Sequence, residues 1–400
     1  MVGEPGLGKS RLAYEFGLWL VDRAEPVVSM RARATPQSST APAALLRNLF
    51  SEHFAVHDTD TAAAVLEKFR AGTAGRLLPA EADILGQFCG YDCSASDTVR
   101  RLLGQDALAH LGLTYFHQYL ERLGQARPIV LVLEDLHWAD DRSLDALLGL
   151  AAPQPLAVPL LVVALTRPSF FERRPHWGEG LEPVTRLDLR PLSRRESRAL
   201  VVEILQNVQD LPDSLRDLIA GASEGNPFFA EELVKMLVDD GVLLAKEGGW
   251  QIVADRVAGV RVPATLAGVL QARLDSLPAG ERETLQRAAV VGREFWDEAV
   301  ARLTEPAGGD SERQPLTPIL ATLRGRELVY RHEHSAFEGT AEFVFKHALL
   351  RDVAYETVLR RLRRTYHRQV AEWMESRAGE RLDEHAGLIA YHYQQAEAGP

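Results

Sequence analysis

The chain has 400 residues, of which 46% are hydrophobic and 25% are charged, a balance typical of a soluble globular protein with about two to four domains. No apolar run reaches the roughly eighteen residues that a membrane span needs, and no signal-peptide pattern is present, so we expect a cytoplasmic protein that uses no membrane. The net charge of −11 argues against a general binder of nucleic acids or anionic membranes.

The first segment, Gly3–Ser10, reads GEPGLGKS and has the G-x-x-x-x-G-K-S spacing of a phosphate-binding loop. Gly3, Gly6 and Gly8 allow the backbone to wrap closely and to turn its N–H groups toward an anion. The positive end of the helix that follows adds to this attraction. The spacing therefore predicts a nucleotide-binding site.

Three side chains at the end of this loop are candidate ligands of a nucleotide and its metal. Lys9 would reach the β- and γ-phosphates, and the Ser10 hydroxyl would hold Mg²⁺. Arg11 follows in the first turn of the predicted helix and is included as a nucleotide-binding candidate.

Apolar periodicity alternates between helix and strand in the first half of the chain. Residues 11–24 have the spacing of an amphipathic helix. The predicted strands lie at residues 26–32, 128–135, 159–166 and 184–189, and the two middle ones are continuous apolar runs typical of buried parallel strands. Strands that alternate with helices predict an α/β domain with a parallel sheet.

Two acidic residues, Glu134 and Asp135, stand where the apolar run PIVLVLED ends. Mg²⁺ prefers hard oxygen ligands beside phosphates, so this pair is the candidate partner of Ser10 in a metal site. Acidic residues are also common at ordinary helix N-termini, but the preceding glycine loop favours the nucleotide interpretation. Which carboxylate holds the metal and which orients an attacking water stays open, because the common order is Asp followed by Glu.

Arg167 follows the apolar run that ends in ALTRP, at the carboxyl end of a predicted strand. Ligands of open α/β sheets bind at that edge. An arginine there could pair with the γ-phosphate and so distinguish ATP from ADP, although an ordinary surface arginine fits the same spacing.

The second half of the chain is predominantly helical in pattern. Amphipathic helices follow residue 193, a small hairpin is predicted at 245–252, and further helices begin near residue 263. A hairpin-like stretch at 328–347 follows them, and three helices followed by a hairpin is the order of a winged helix. Residues 348–397 are again helical in pattern.

The segments GEPGLGKSRL, VLEDLHWADDRSLDALLGLA, ALTRP, RPLSRRE and EGNPFFAEEL occur in one order that resembles the ATPase module of the signal-transduction ATPases with numerous domains (STAND), which are related to the AAA+ class. The resemblance continues through VPATLAGVLQARLDSLP, AAVVGREF and FVFKHALLRDVAYETV. Among these ATPases, the chain is most similar to modules that follow class III adenylate/guanylate cyclase domains and to modules of LuxR-type transcriptional regulators.

The resemblance implies roles for three further residues. Gly225 and Pro227, in EGNPFF, match the G-x-P motif of the helical lid that packs against the nucleotide base. His347, in VFKHALL, resembles the histidine by which related switch ATPases tie the winged helix to the β-phosphate of ADP. A structural histidine in an amphipathic stretch is the alternative.

The resemblance also implies four domains, the first of which lacks most of the strand that precedes the glycine loop in relatives. They are a P-loop ATPase core at 1–192, a helical lid at 193–260, a winged-helix-like domain at 261–347 and a helical region at 348–400, which would begin a set of helical repeats. Relatives carry four or five apolar residues before the first loop glycine, whereas this chain offers Val2. We therefore expect a truncated central strand, whose slot is empty or filled by another segment.

These observations predict an ATP-binding switch that uses Mg²⁺ and senses ATP against ADP, and the resemblance implies that it hydrolyses ATP slowly. Two alternatives stay open: a nucleotide-binding scaffold without hydrolysis, and a DNA-binding ATPase of the origin-recognition type. The expected partners are other domains of the same polypeptide or regulatory proteins, and the module could assemble into an oligomer with nucleotide. The basic stretch LRRLRRTYHR lies outside the helix that would enter a DNA groove, so we expect no nucleic-acid binding through this segment.

Overall fold

The N-terminal part of the chain is built on a three-stranded parallel sheet in a computed structural model. The structure describes residues 1–397 except 24, 36–40, 58–59, 151–156, 182, 209–210, 247–248, 258–261, 304–315, 333–334, 338 and 380–381. The strands are β1 (Val28–Arg33), β2 (Ile129–Glu134) and β3 (Leu160–Ala164), in the order β1-β2-β3. The predicted α/β architecture with a parallel sheet is confirmed.

The central strand β2 is buried on both faces, which explains its continuous apolar sequence. Val130 and Val132 pack with Ala13 on one face, while Leu131 and Leu133 join the larger apolar cluster on the other face. The surrounding helices are α1 (Lys9–Val21), α2 (Ala44–His53), α3 (Ala62–Thr73), α4 (Pro79–Phe88), α5 (Asp97–Leu102), α6 (Asp106–Gly124), α7 (Asp141–Gly149) and α8 (Phe170–Arg173).

Val2 extends the sheet beyond β3 by a single residue. It forms parallel bridges to Thr166 on one side and to Asp188 on the other, and its carbonyl accepts a 2.8 Å hydrogen bond from the Leu189 N–H. The strand predicted at 184–189 is therefore reduced to one bridge, because Val2 is its only strand partner among the described residues. The truncation of a central strand stays a prediction.

The C-terminal part is a set of helices with two small antiparallel sheets. β4 pairs with β5 as the predicted hairpin, and the other sheet has the order β6-β8-β7. The elements are α9 (Arg194–Ile204), α10 (Asp213–Ala222), α11 (Pro227–Asp239), β4 (Leu243–Lys246), β5 (Gly249–Ile252), α12 (Ala254–Val257), α13 (Leu266–Ser276), α14 (Ala279–Val291), β6 (Glu294–Trp296), α15 (Asp297–Arg302), α16 (Leu316–Gly325), β7 (Val329–Arg331), β8 (Glu342–Phe345), α17 (Ala348–Thr357), α18 (Arg360–Ala378) and α19 (Leu382–Glu397).

One apolar cluster runs through this C-terminal part, from Val201 to Ile389. Trp373 lies in it, fully buried, with its ring 5.6 Å from Trp296 and 4.8 Å from Phe337. The predicted boundary between the lid and the winged-helix-like domain falls at 258–261, outside the described residues, so the four-domain division stays a prediction. Within the described ranges, no helix is both long and apolar enough to cross a membrane.

Candidate nucleotide-binding site

The glycine-rich loop has the backbone that its sequence predicts. Gly6 and Gly8 adopt φ angles of 85° and 88°, in the left-handed region that glycine enters without steric cost, and α1 begins directly afterwards. A Cβ atom on Gly8 would meet nothing within 4 Å, so the space beside the loop is open at that point. A helix N-terminus with open space in front of it is the geometry that an anion-binding loop requires.

Lys9 lies across this loop rather than in solvent. Its Nζ donates hydrogen bonds to the carbonyls of Gly3, at 2.7 Å, and Glu4, at 3.0 Å. Burial and then the nearby charge of Arg167 lower the pKa of Lys9. The ammonium group is thus held beside the loop, where it could exchange its hydrogen bonds to backbone carbonyls for hydrogen bonds to phosphate oxygens.

The structure brings Ser10 and the acidic pair together at the carboxyl edge of the sheet. Ser10 Oγ donates a 2.8 Å hydrogen bond to Glu134 Oε2, across 124 positions of sequence. Asp135 follows directly, with φ 56° and ψ 37°, a left-handed conformation that aspartate tolerates better than most residues. A hydroxyl and two carboxylates are hard oxygen donors of the kind that Mg²⁺ prefers, so the three predicted metal ligands fit that ion.

Asp135 makes ion pairs with two arginines that the sequence did not suggest. Arg33, the last residue of β1, places Nε 2.9 Å from Asp135 Oδ2, and Arg293 places Nη1 3.6 Å from the same oxygen. Burial alone would raise the pKa of Asp135, but the charges of Arg33 and Arg293 and the Arg33 hydrogen bond outweigh it and hold that pKa below its usual value. Asp135 is therefore ionised and engaged.

Arg167 and Lys9 lie close enough to His137 for both of their charges to act on its ring. Arg167 is half-buried just after β3, and its positive charge contributes to the lowered pKa of Lys9. Burial and then the Arg167 charge lower the pKa of His137 to about 4, so its ring is neutral at physiological pH. Neither ring nitrogen of His137 hydrogen-bonds within the described part of the chain.

The lid motif contacts the phosphate loop directly. Gly225 has φ 80°, and a Cβ atom there would lie 2.3 Å from the Leu192 carbonyl oxygen, so only glycine fits. Asn226 caps α11 and also donates from Nδ2 to the Pro5 carbonyl at 3.1 Å. The Phe228 N–H donates to the carbonyl of loop residue Gly6 at 3.3 Å.

Pro227 begins α11 between these two contacts, as its favoured first-turn position predicts. His347 packs on the next residue of the same helix, with its ring centroid 3.9 Å from that of Phe228. Its Nε2 is buried without a hydrogen bond among the described residues, and burial, followed by nearby lysine and arginine charges, lowers its pKa to about 3. His347 thus lies one side chain away from the loop.

Arg11 is the predicted residue that points elsewhere. It is exposed and pairs with Glu15 one helical turn later, with 2.7 Å between Nη2 and Oε1. Its role as a nucleotide ligand stays a prediction that this side-chain position does not favour.

Three residues of the site were missed at the sequence level: Arg33, Asn226 and Arg293. Asn226 carried a signal, because asparagine is a preferred N-cap and precedes a helix-starting proline. The two arginines carried none, because each reaches Asp135 from a separate part of the chain.

Comparison with known proteins supports the coarse interpretation. Residues 1–163 match a family model described as an AAA ATPase domain. The match includes the glycine loop, Ser10 and the Glu134–Asp135 pair. The predicted similarity to AAA-type ATPases is therefore confirmed for this part of the chain, whereas the cyclase-linked or LuxR-type context stays a prediction.

Three individual proteins are similar over longer stretches. An uncharacterized protein of Rhizobium meliloti (strain 1021) is 28% identical over 343 residues, which is 82% of this chain and 31% of that protein. A STAND protein with a tetratricopeptide repeat sensor from Pyrococcus horikoshii aligns with 96% of this chain and 48% of its own, at TM-score 0.48 and 13% identity. The ORC1 protein of Aeropyrum pernix in complex with DNA aligns with 88% of this chain and 93% of its own, at TM-score 0.29 and 15% identity.

This chain thus spans about a third of its curated relative and about half of the STAND protein.

Proposed function

We propose that this chain carries an ATP-binding switch module that hydrolyses ATP slowly. The observation that carries the proposal is the Ser10–Glu134 hydrogen bond of 2.8 Å, which joins the end of the glycine loop to the acidic end of the central strand. These two features have separate local signals in the sequence, and a nucleotide site needs both of them at one edge of the sheet.

The chain's own residues would supply positioning and charge rather than covalent chemistry. The loop amides and Lys9 would bind the phosphates, while Arg167 would face the γ-phosphate. Ser10 and one carboxylate of the Glu134–Asp135 pair would hold Mg²⁺, which when bound neutralises phosphate charge. The other carboxylate of the pair would orient the attacking water and accept its proton.

The lid and the C-terminal part would report which nucleotide is bound. Asn226 and Phe228 hydrogen-bond to the loop, so a change in loop shape would act on α11 directly. The order α14, β6, α15, α16, β7, β8 supports a winged-helix interpretation, and His347 follows β8. Nucleotide exchange would then alter how these elements seat on the core.

A nucleotide-binding scaffold without hydrolysis is the second candidate. The paired state of the acids favours it, because Glu134 is bonded to Ser10 and Asp135 to two arginines, so neither is free to activate water in this arrangement.

Nucleotide binding and phosphate release, measured side by side, separate these candidates. We expect Lys9→Ala to weaken ATP affinity by about 10- to 100-fold, because charge-assisted hydrogen bonds to phosphate are lost. Lys68→Ala, on α3 away from the loop, is the matched control and should bind normally. Asp135→Asn should retain binding but lose turnover. Binding without any turnover in the wild-type chain supports the scaffold, and unchanged affinity in Lys9→Ala contradicts both candidates.

The remaining functional expectations are proposals of the same kind. They are contact with other domains or regulatory proteins, nucleotide-dependent assembly, a cytoplasmic location, and a helical repeat region that starts with the antiparallel α18 and α19.

A further inference from the structure

An ion pair between Asp135 and Arg293 links the ATPase core to the C-terminal part of the chain. Arg293 lies between α14 and β6, more than 150 positions after Asp135 in the chain, and β8 fixes its backbone because its carbonyl accepts a 2.9 Å hydrogen bond from the Phe345 N–H. Its side chain crosses from the C-terminal part to the carboxyl end of β2. It thereby joins that part to a predicted metal ligand.

Arg293 is a largely buried cation, and its ion pair within the described residues is the one with Asp135. Its side chain is 15% exposed, and its Nε makes no hydrogen bond within the residues that the structure describes. The acidic groups close enough to stabilise its charge are Asp135, Glu294 and Glu134. An arginine removed from water in this way depends on its carboxylate partner.

Arg33 and Arg293 converge on one oxygen, Oδ2 of Asp135, at 2.9 Å and 3.6 Å. A divalent cation brought to the same carboxylate would face two guanidinium charges at close range, and such repulsion is strong where water is partly excluded. Arg33 ends β1 and pairs in register with Glu134, so its backbone is part of the sheet beside Asp135. Arg293 comes instead from the segment between α14 and β6, two elements that pack in the apolar cluster of the C-terminal part.

We infer that Arg293 competes with Mg²⁺ for the Asp135 carboxylate, so that metal binding and the seating of the C-terminal part on the ATPase core oppose each other. Arg293 is thereby a positioning residue that acts through Asp135. The inference rests on the proposed nucleotide site and adds its regulation. Because coupling between two binding events is reciprocal, loosening Arg293 strengthens Mg²⁺ binding to the same extent that Mg²⁺ loosens Arg293.

The test is a Mg²⁺ titration with a fluorescent, non-hydrolysable ATP analogue, which reads metal binding without turnover. Arg293→Ala should lower the Mg²⁺ concentration for half-saturation by about 10-fold, within the usual range of coupling between sites. Binding of the analogue in EDTA should be unchanged. Arg293→Lys, which keeps the charge, should behave nearly as wild type. Arg287→Ala on the adjoining helix α14, where Arg287 pairs with Glu283, is the matched control and should have no effect.

Two further measurements exclude a merely structural role. In an Asp135→Asn background, Arg293→Ala should give no additional change in half-saturation, because the shared carboxylate is gone. In the wild-type chain, Mg²⁺ with the analogue should speed hydrogen exchange of residues 292–296 relative to the analogue in EDTA, a readout that needs no variant to fold.

The outcomes are distinct. An unchanged or increased Mg²⁺ requirement in Arg293→Ala, with normal analogue binding, overturns the competition. Equal exchange of residues 292–296 with and without Mg²⁺ overturns it as well. A wild-type chain that binds no analogue at any Mg²⁺ concentration overturns the proposed function and this inference with it.

Discussion

At the scale of single residues, two glycines in the loop have the same backbone conformation but different surroundings. Gly6 and Gly8 both have φ near 85°, yet a Cβ atom on Gly6 would lie 2.5 Å from Asn226 Oδ1, whereas one on Gly8 would meet nothing within 4 Å. Gly6 therefore allows the contact with the lid, and Gly8 leaves room for a ligand.

Alanine at these two positions should separate the roles. Without nucleotide, we expect Gly8→Ala to cost only the left-handed strain, about 1 kcal/mol, and Gly6→Ala to cost more because the Asn226 side chain must move. Thermal unfolding measures both effects. In an Asn226→Ala background the amide is gone, so adding Gly6→Ala should lower stability by about as much as Gly8→Ala lowers that of the wild-type chain. Equal costs of the two single variants would contradict the assigned contact.

At the scale of elements, a buried ion-pair group joins α11 of the lid to α13. Arg273, 5% exposed, bonds through Nη1 to Glu232, 2% exposed, and through Nε to Asp239 Oδ2 at 3.0 Å. Lys235 adds a 3.1 Å bond to Glu232. Since both helices also share one apolar cluster, the lid and the helices after it should move as one unit.

Removing Arg273 should be costly, because Asp239 and Glu232 lose their buried partner and Glu232 keeps only Lys235. We expect Arg273→Ala to lower the free energy of unfolding by about 3 to 5 kcal/mol, and Glu232→Leu/Arg273→Met to lower it by less than the sum of the two single variants. Arg287→Ala, which removes a more exposed pair, should cost less than about 1 kcal/mol. Urea denaturation gives these values, and additive single effects would argue against a coupled pair.

At the scale of the whole molecule, buried neutral histidines make the fold sensitive to acid. His367 on α18 and His392 on α19 face each other with 2.8 Å between their Nδ1 atoms. Burial, followed by the charges of Arg351 and Arg363, lowers the pKa of His367 to about 3. Burial and the facing ring lower the pKa of His392 well below its usual value.

The sign of the effect follows from proton uptake. In the unfolded chain both histidines titrate near pH 6.5, so below that pH the unfolded state binds protons that the folded state does not. Stability is therefore complete above about pH 6.5 and falls by about 1.4 kcal/mol per histidine for each pH unit toward the folded pKa values.

Replacing one of these histidines should make the unfolding free energy depend less steeply on pH in acid. We expect the unfolding free energy of His392→Gln to fall less steeply than that of wild type between about pH 6 and 4, because one fewer proton is taken up on unfolding. His110→Gln, at an exposed position of α6, is the control and should keep the wild-type slope. Urea titrations at each pH measure the slopes, and identical slopes for His392→Gln and wild type would contradict the assignment.

The sequence predicted the parts of this protein whose information is local. The G-x-x-x-x-G-K-S spacing fixes the loop geometry through glycine φ angles, and the apolar run before Glu134 fixes a strand buried on both faces. Because parallel strands end at one edge, these two signals predicted a site shared by Ser10 and Glu134. The two side chains are joined by a 2.8 Å hydrogen bond, and their role in holding a metal stays a prediction.

The tertiary structure decided what no window of sequence contains. Strand propensity at 184–189 predicted a strand, but only Val2 pairs with it among the described residues, so one bridge forms. The ion pairs of Asp135 with Arg33 and Arg293 depend on packing between segments far apart in the chain, and an arginine has the same local pattern whether it faces water or a carboxylate. The sequence by itself thus determined the glycine loop and the acidic strand end on which the proposed nucleotide site rests, and only the packing of the C-terminal part on the core decided which charges surround Asp135.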